Sequence, residues 1–413
     1  MILKNLLEEG LKDGIIEKTK LTRKLNVGGS VDTYPVYKIR LDALYYNDKN
    51  DRIATWISKY KAENSNKDFN IDTDRENYNN LIQDFIIKSN PDSIRKTKRN
   101  IEAVEQQESG VVLNDGRIID GNRRYTCLRL LHAENIHKHN YFEAVILDRD
   151  FENNEKQIKM LELAIQHGED SKIDYNPIDR LVGIYNDIIE NKLLTIKEYA
   201  QITNESENDI KKKVELAELM VEYLEFIQEP KQFYIAREQE IDGPLHEIIT
   251  ALKKCSSEDK KFEIKQVLFN MLLNKPDSDM TRYIRDIKND VINTEHEDVF
   301  IEEQMEVVQE TMETLIEAKN NAIDTSEIIS NIRKDEKIKE KINNSKTKAV
   351  DKTKLEKVKN LPLDRISKSL EFLEEINDYY IFSTLSSSQK EDILKQLQNL
   401  QNKIEDIRNH IGE

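Results

Sequence analysis

Apolar and polar positions change their period near residue 150. Before it, short runs alternate or cluster. Tyr34-Pro35-Val36-Tyr37-Lys38-Ile39 alternates and predicts a strand. Val111-Val112-Leu113, then Asn114-Asp115-Gly116, then Arg117-Ile118-Ile119 predicts a hairpin, because Asp-Gly tolerates the positive φ of a tight turn. Phe142 to Leu147 predicts a further strand. Trp56 to Tyr60, Tyr78 to Ile87 and Arg123 to His132 read as helices, and residues 1–33 as a helical lead-in ending at Gly28-Gly29-Ser30.

Beyond residue 150 the pattern is helical. Ile158 to Gln166 is one helix, and Asn176-Pro177-Ile178-Asp179 starts another, with proline in its first turn. Thr195 to Ile202 opens with Thr195 three residues before Glu198, a capping-box pattern. Thr203-Asn204-Glu205 turns, and Ser206 begins a helix through Leu219, giving a helix-turn-helix outline. Near the end, Ile393, Leu397, Leu400, Ile404, Ile407 and Ile411 repeat at steps of four and three. That seam suits either a partner helix or a hairpin with Leu363, Ile366, Leu370, Leu373 and Ile376.

Composition narrows the class. The chain has 413 residues, 38% of them hydrophobic, with only 11 Gly and 7 Pro, which argues against an all-β protein. No apolar run approaches the roughly 18 residues of a membrane span, and no secretory core follows Met1. Two cysteines make no disulfide framework, which fits a reducing cytoplasm. The net charge of -16 opposes a uniform nucleic-acid coat. The charge is uneven, however. Residues 294–327 hold 11 acidic residues against one lysine, and residues 331–359 hold 11 basic against five acidic. The basic stretch is poor in apolar residues and reads as a flexible linker or a DNA contact.

The chemistry concentrates in Asp120-Gly121-Asn122-Arg123-Arg124, between a strand and a helix. Glycine lets the backbone approach a ligand, helix N–H groups favour an anion, and guanidinium forks match phosphate oxygens. His132, His137 and His139 lack convincing ligand spacing, so no metal site is expected from side chains. Cys127, on the helix after the arginines, is expected to be buried.

The order of these motifs resembles the ParB/sulfiredoxin superfamily, and within it the ParB-like chromosome and plasmid partition proteins. The stretch from Tyr34 through Leu44 and Asn47–Arg52 looks like the opening strand and turn, and Val111 to Arg124 like the central hairpin and phosphate box. Asn176-Pro177-Ile178-Asp179 and the 194–219 helices look like the following segments. Gln166 to Lys172, with Glu169 and Asp170, matches a family stretch loosely.

The resemblance implies an α+β N-terminal domain, then an all-α helix-turn-helix domain and helical C-terminal regions. It implies an NTP, CTP or ATP, held with Mg²⁺ by Gly121, Asn122, Arg123 and Arg124. DNA would be met by Ser206, Asn208, Lys211 and Lys212, in a cytoplasmic homodimer or with a protein partner on the C-terminal helices. Asn122 stands where the family has a catalytic glutamate, which leaves NTPase activity open, with Asp120 the nearest catalytic candidate. Expected boundaries are 1–33, 34–150, 151–243, 244–330, a 331–360 linker and a 361–413 hairpin. The alternatives are an NTP-dependent phosphotransferase or nuclease in a mobile-element or phage-defence setting, and a helical adaptor without nucleotide function.

Overall fold

Six strands form one mixed sheet in the computed structural model: β1 (Ile16–Val27), β2 (Ser30–Arg40), β3 (Tyr45–Tyr46), β4 (Gly110–Leu113), β5 (Arg117–Asp120) and β6 (Tyr141–Leu147). Their order is β1-β2-β6-β4-β5-β3. The β6/β4 and β5/β3 pairs are parallel and the other three antiparallel. The structure describes residues 5–27, 30–64, 74–148, 151–168, 176–321 and 323–412, without the side chains of 151–153 and 167–168. Gly28, Gly29, Glu169 and Asp170 therefore lie outside the described residues.

The central strands are apolar because both faces are covered. On one face Val112, Ile118 and Phe142 pack with α2 (Arg75–Ser89), α3 (Pro91–Val104) and α4 (Asn122–Glu134), through Ile82, Phe85, Ile94, Ile101, Tyr125 and Leu128. On the other, Val111, Leu113, Ile119 and Val145 pack with Ile158 and Leu161 of α5 (Phe151–Gly168). The turn of the expected hairpin is made by Gly116 at φ +93°. Helix α1 (Ala54–Glu63) precedes α2.

Two expectations about this half change. Residues 16–27, expected in a helical lead-in, form β1. Most of β1 is exposed on both faces, so no alternation marks it. Its partner β2 is longer than the expected strand and pairs along its length, from Ile16↔Ile39 to Val27↔Ser30. Helix α3 was not anticipated, although Asn90 accepts from Ser93 N and Pro91 occupies the first turn.

Helices follow: α6 (Pro177–Ile184), α7 (Ile196–Thr203), α8 (Glu207–Phe226), α9 (Phe233–Glu238), α10 (Asp242–Leu252), α11 (Glu258–Asn274), α12 (Met280–Asp290), α13 (Glu297–Asn320), α14 (Thr325–Lys334), α15 (Glu336–Glu374), α16 (Ile381–Thr384) and α17 (Ser387–Ile411). The capping box on Thr195 and Glu198 is formed. The chain divides into two units, 1–347 and 348–413, a coarser partition than the one expected. The boundary between the units falls inside the expected 331–360 linker, but the stretch is helical: α14 ends at Lys334, and after Asp335 α15 runs from Glu336 to Glu374 through Pro362. Lysine and glutamate are good helix formers, and Ile338, Ile342 and Ser345 give this stretch a buried face. In the second unit the apolar residues of the expected hairpin stay uncovered: Leu363, Leu370, Leu397 and Ile404 are all exposed. No helix among the described residues is long and apolar enough to cross a membrane.

Candidate functional site: a cationic cleft at the start of α4

The turn into α4 is set by three local devices. Register slips between Val111↔Asp120 and Val112↔Ile118, an irregularity that re-aims the end of β5. Gly121 then adopts φ +99° and caps α4, where a Cβ would lie 2.7 Å from Phe142 Cζ. Tyr125, fully buried, anchors the first turn by donating its hydroxyl to Leu41 O (2.9 Å) and Leu44 O (3.1 Å). The two arginines therefore leave a rigid helix start at fixed angles.

They have different surroundings. Arg124 donates Nη1 to Glu108 Oε2 (2.6 Å) and Nη2 to Asp120 Oδ2 (3.0 Å). The same Asp120 oxygen accepts from Arg23 Nη1 of β1 at 3.0 Å, and Arg23 also donates to Ser109 O. Asp120, the expected catalytic residue, thus ties β1, β5 and α4 together. Arg123 is half-buried and has no hydrogen bond or ion pair among the described residues. Burial, then the neighbouring charge of Arg52 and Arg124, pushes its pKa down to about 10. A desolvated guanidinium beside other cations is a place where an anion is stabilised.

These side chains border a cleft of about 580 Å³. Its walls come from Asn50, Arg52 and Ile53, the end of α2, α3, the 106–108 segment, the 119–124 turn and α5. Lys96 of α3 adds a second cation with no ion pair among the described residues, and Asn90, Asn100, Gln107, Asn122 and Gln166 add amides. The turn residues were legible as a sequence run. Arg23, Lys96 and Glu162 were not, since they reach the site from β1, α3 and α5 only after folding.

One wall connects to a buried ionic cluster. Lys159 of α5 donates to both Asp51 oxygens (2.8 and 3.0 Å) and lies 3.3 Å from Asp187 and 3.9 Å from Glu162. Burial pushes Glu162 up to about 7 and Asp187 up to about 8 despite the lysine. Nearby, Asp179 of α6 accepts from Thr55 of α1 (2.7 Å) and Arg237 of α9 (2.8 Å). The cleft wall at 50–53 is thereby fixed to the helical region that carries α7 and α8.

Ser206 caps α8 by accepting from Asp209 N, and Ser206, Asn208, Lys211 and Lys212 are all exposed on its first turns. Glu205, an acidic residue beside the start of α8, is bound by Arg180 and Lys213. Asp209 accepts from the Ser206 hydroxyl, which with Lys212 lowers its pKa. Cys127 is buried, and burial pushes its thiol up to about 12, far from a reactive thiolate. His132 and His139 meet Lys138 O and Glu105 respectively, and no metal-holding group of His, Cys, Asp or Glu is present among the described residues.

No protein-family model matches the chain, and no curated protein matches it. Among solved structures, that of a Pnob8-like ParB-N domain aligns with 61% of this chain and 97% of its own, at 13% identity and a TM-score of 0.33.

Proposed function

We propose that this chain is a nucleotide-responsive DNA-binding protein. The cleft at the start of α4 would hold the phosphates of an NTP, the exposed turns of α8 would meet DNA, and the C-terminal helices would join two copies. The observation that carries the reading is Arg123: a half-buried guanidinium without a carboxylate partner among the described residues, facing a cleft of about 580 Å³ from a helix N-terminus. Coupling is supported by the bonds from the cleft-wall side to the helical region, Asp51–Lys159–Asp187 and Thr55–Asp179. A nucleotide shifts such a coupled pair only as far as it binds one arrangement better than the other.

Calorimetric titration with CTP and with ATP tests the first step. Arg123→Ala should weaken binding by about tenfold or more, as loss of a charge-assisted hydrogen bond does. Arg124→Ala should cost less, because Asp120 and Glu108 already occupy its fork. Equal affinity in wild type and Arg123→Ala rejects the site. The DNA step is read by anisotropy at low salt, with and without NTP, where electrostatic binding is strongest. The Lys211→Ala, Lys212→Ala double variant should bind more weakly. Absence of any DNA binding by the wild type removes that half of the proposal.

A further inference from the structure

We infer that the cleft holds the phosphates of its nucleotide without a divalent cation and does not hydrolyse them; this rests on the nucleotide reading above. Magnesium is bound through one or two carboxylates together with phosphate oxygens and water. The described residues that line the cleft include three carboxylates, Glu108, Asp120 and Glu162. Each has one oxygen already paired with a cation of the protein.

Asp120 is the only one in the phosphate turn. Its Oδ2 accepts from Arg23 and from Arg124, both at 3.0 Å, and its side chain is 19% exposed. Turning that oxygen to a metal ion removes an acceptor from two guanidinium groups that are themselves less than one-fifth exposed. Such groups are costly to leave short of partners. Glu108 is spent on the same Arg124, and Glu162 lies against Lys159 with its second neighbour Gln166 donating at 3.1 Å. Among the described residues the donor set therefore does not fit the magnesium that the sequence motif implies.

The positive charge that a polyphosphate needs is supplied by side chains instead. Among the described residues, Arg123 and Lys96 face the cleft without ion pairs, and Arg124 Nε is a buried donor without a hydrogen-bond partner. The first turn of α4 adds main-chain N–H groups, since Gly121 provides no side-chain cap. Hydrolysis is disfavoured by the same arrangement. A carboxylate that activates water needs a free lone pair directed at it, and Asp120 Oδ2 is shared by two donors.

The test is calorimetric titration of the full-length protein with CTP, ATP, and inorganic triphosphate, each in excess Mg²⁺ and in excess EDTA, with phosphate release followed in parallel. The expected result is the same nucleotide affinity in both buffers within about threefold, competition by inorganic triphosphate, and no phosphate release. Asp120→Asn should leave affinity unchanged or tighten it by up to about tenfold, because it releases Arg124. Binding that needs Mg²⁺, Mg²⁺-dependent phosphate release, or collapse of binding in a folded Asp120→Asn variant overturns the inference while the nucleotide reading stands. No binding in either buffer overturns the nucleotide reading itself, and this inference with it. The wild-type buffer comparison decides the matter even where Asp120→Asn does not fold.

Discussion

At Gly121 the backbone turns at φ +99°, and an added methyl would meet Phe142 Cζ at 2.7 Å. Both facts act on the same substitution. Gly121→Ala should lose roughly 1–3 kcal/mol of stability through left-handed strain and the clash with a buried ring. Thermal unfolding monitored by circular dichroism reads it, and an unchanged midpoint contradicts this account of the turn. The run Asp120 to Arg124 was visible in sequence because a strand, a glycine and two arginines are consecutive. What each arginine does was not visible. The pairing of Arg124 with Glu108, and of Asp120 with Arg23, spans 16 and 97 residues. Adjacent arginines with the same side chain thus end in different roles, one bracing the turn and the other facing the cleft. Only the second is expected to dominate anion binding, which is why the Arg123→Ala and Arg124→Ala variants should differ.

Between elements, the cluster around Lys159 joins α5 to the 51–53 turn and to the segment after α6. Three carboxylates share one ammonium in a buried site, so the two less well placed are held toward their neutral forms. Glu162 rises from 4.5 to about 7 and Asp187 from 3.8 to about 8. The folded chain therefore binds more protons than the unfolded chain across that interval. Stability from these groups is greatest below it and falls as pH rises from about 4 through about 8, by at most about 1.4 kcal/mol per pH unit for each proton. Lys159, raised above its ordinary value, stays charged throughout and does not reverse the sign. Asp187→Asn should flatten the decline between pH 5 and 8, as measured by urea unfolding at several pH values; a slope equal to wild type would contradict the cluster's titration. The closeness of α6 to Asp51 rests on Gly183, where a Cβ would sit 2.7 Å from Asp51 Cγ. Helices such as α6, α7 and α8 were legible because Asn176, Thr195 and Ser206 announce their starts. Strand β1 was not, since the outward residues of an exposed strand are polar on both faces, and its pairing with β2 is a tertiary fact.

For the whole molecule, a charge of -16 first counts against DNA, yet its distribution matters more than its sum. Part of the acid on α13 is paired, as Glu297 with Lys260 and Glu310 with Lys341, while Glu205 near the start of α8 is bound by Arg180 and Lys213. The second unit presents a different imbalance, of apolar surface rather than charge. The seam of α17 leaves Leu397 at 49% and Ile404 at 53% exposure, and the α15 leucines expected to cover it are also exposed. The four-three spacing was readable in sequence, but its partner was not, because the same spacing serves a hairpin and a two-chain coiled coil. Burying a leucine or isoleucine side chain contributes about 1.5–3 kcal/mol, so pairing this face across two copies is a large gain for a helix otherwise marginal in water. The full-length protein should therefore sediment as a dimer, and the Leu397→Glu, Leu400→Glu double variant as a monomer that still binds nucleotide, since the cleft lies wholly in the first unit. A wild-type monomer at micromolar concentration, or a double variant that remains dimeric, would place self-association elsewhere or remove it.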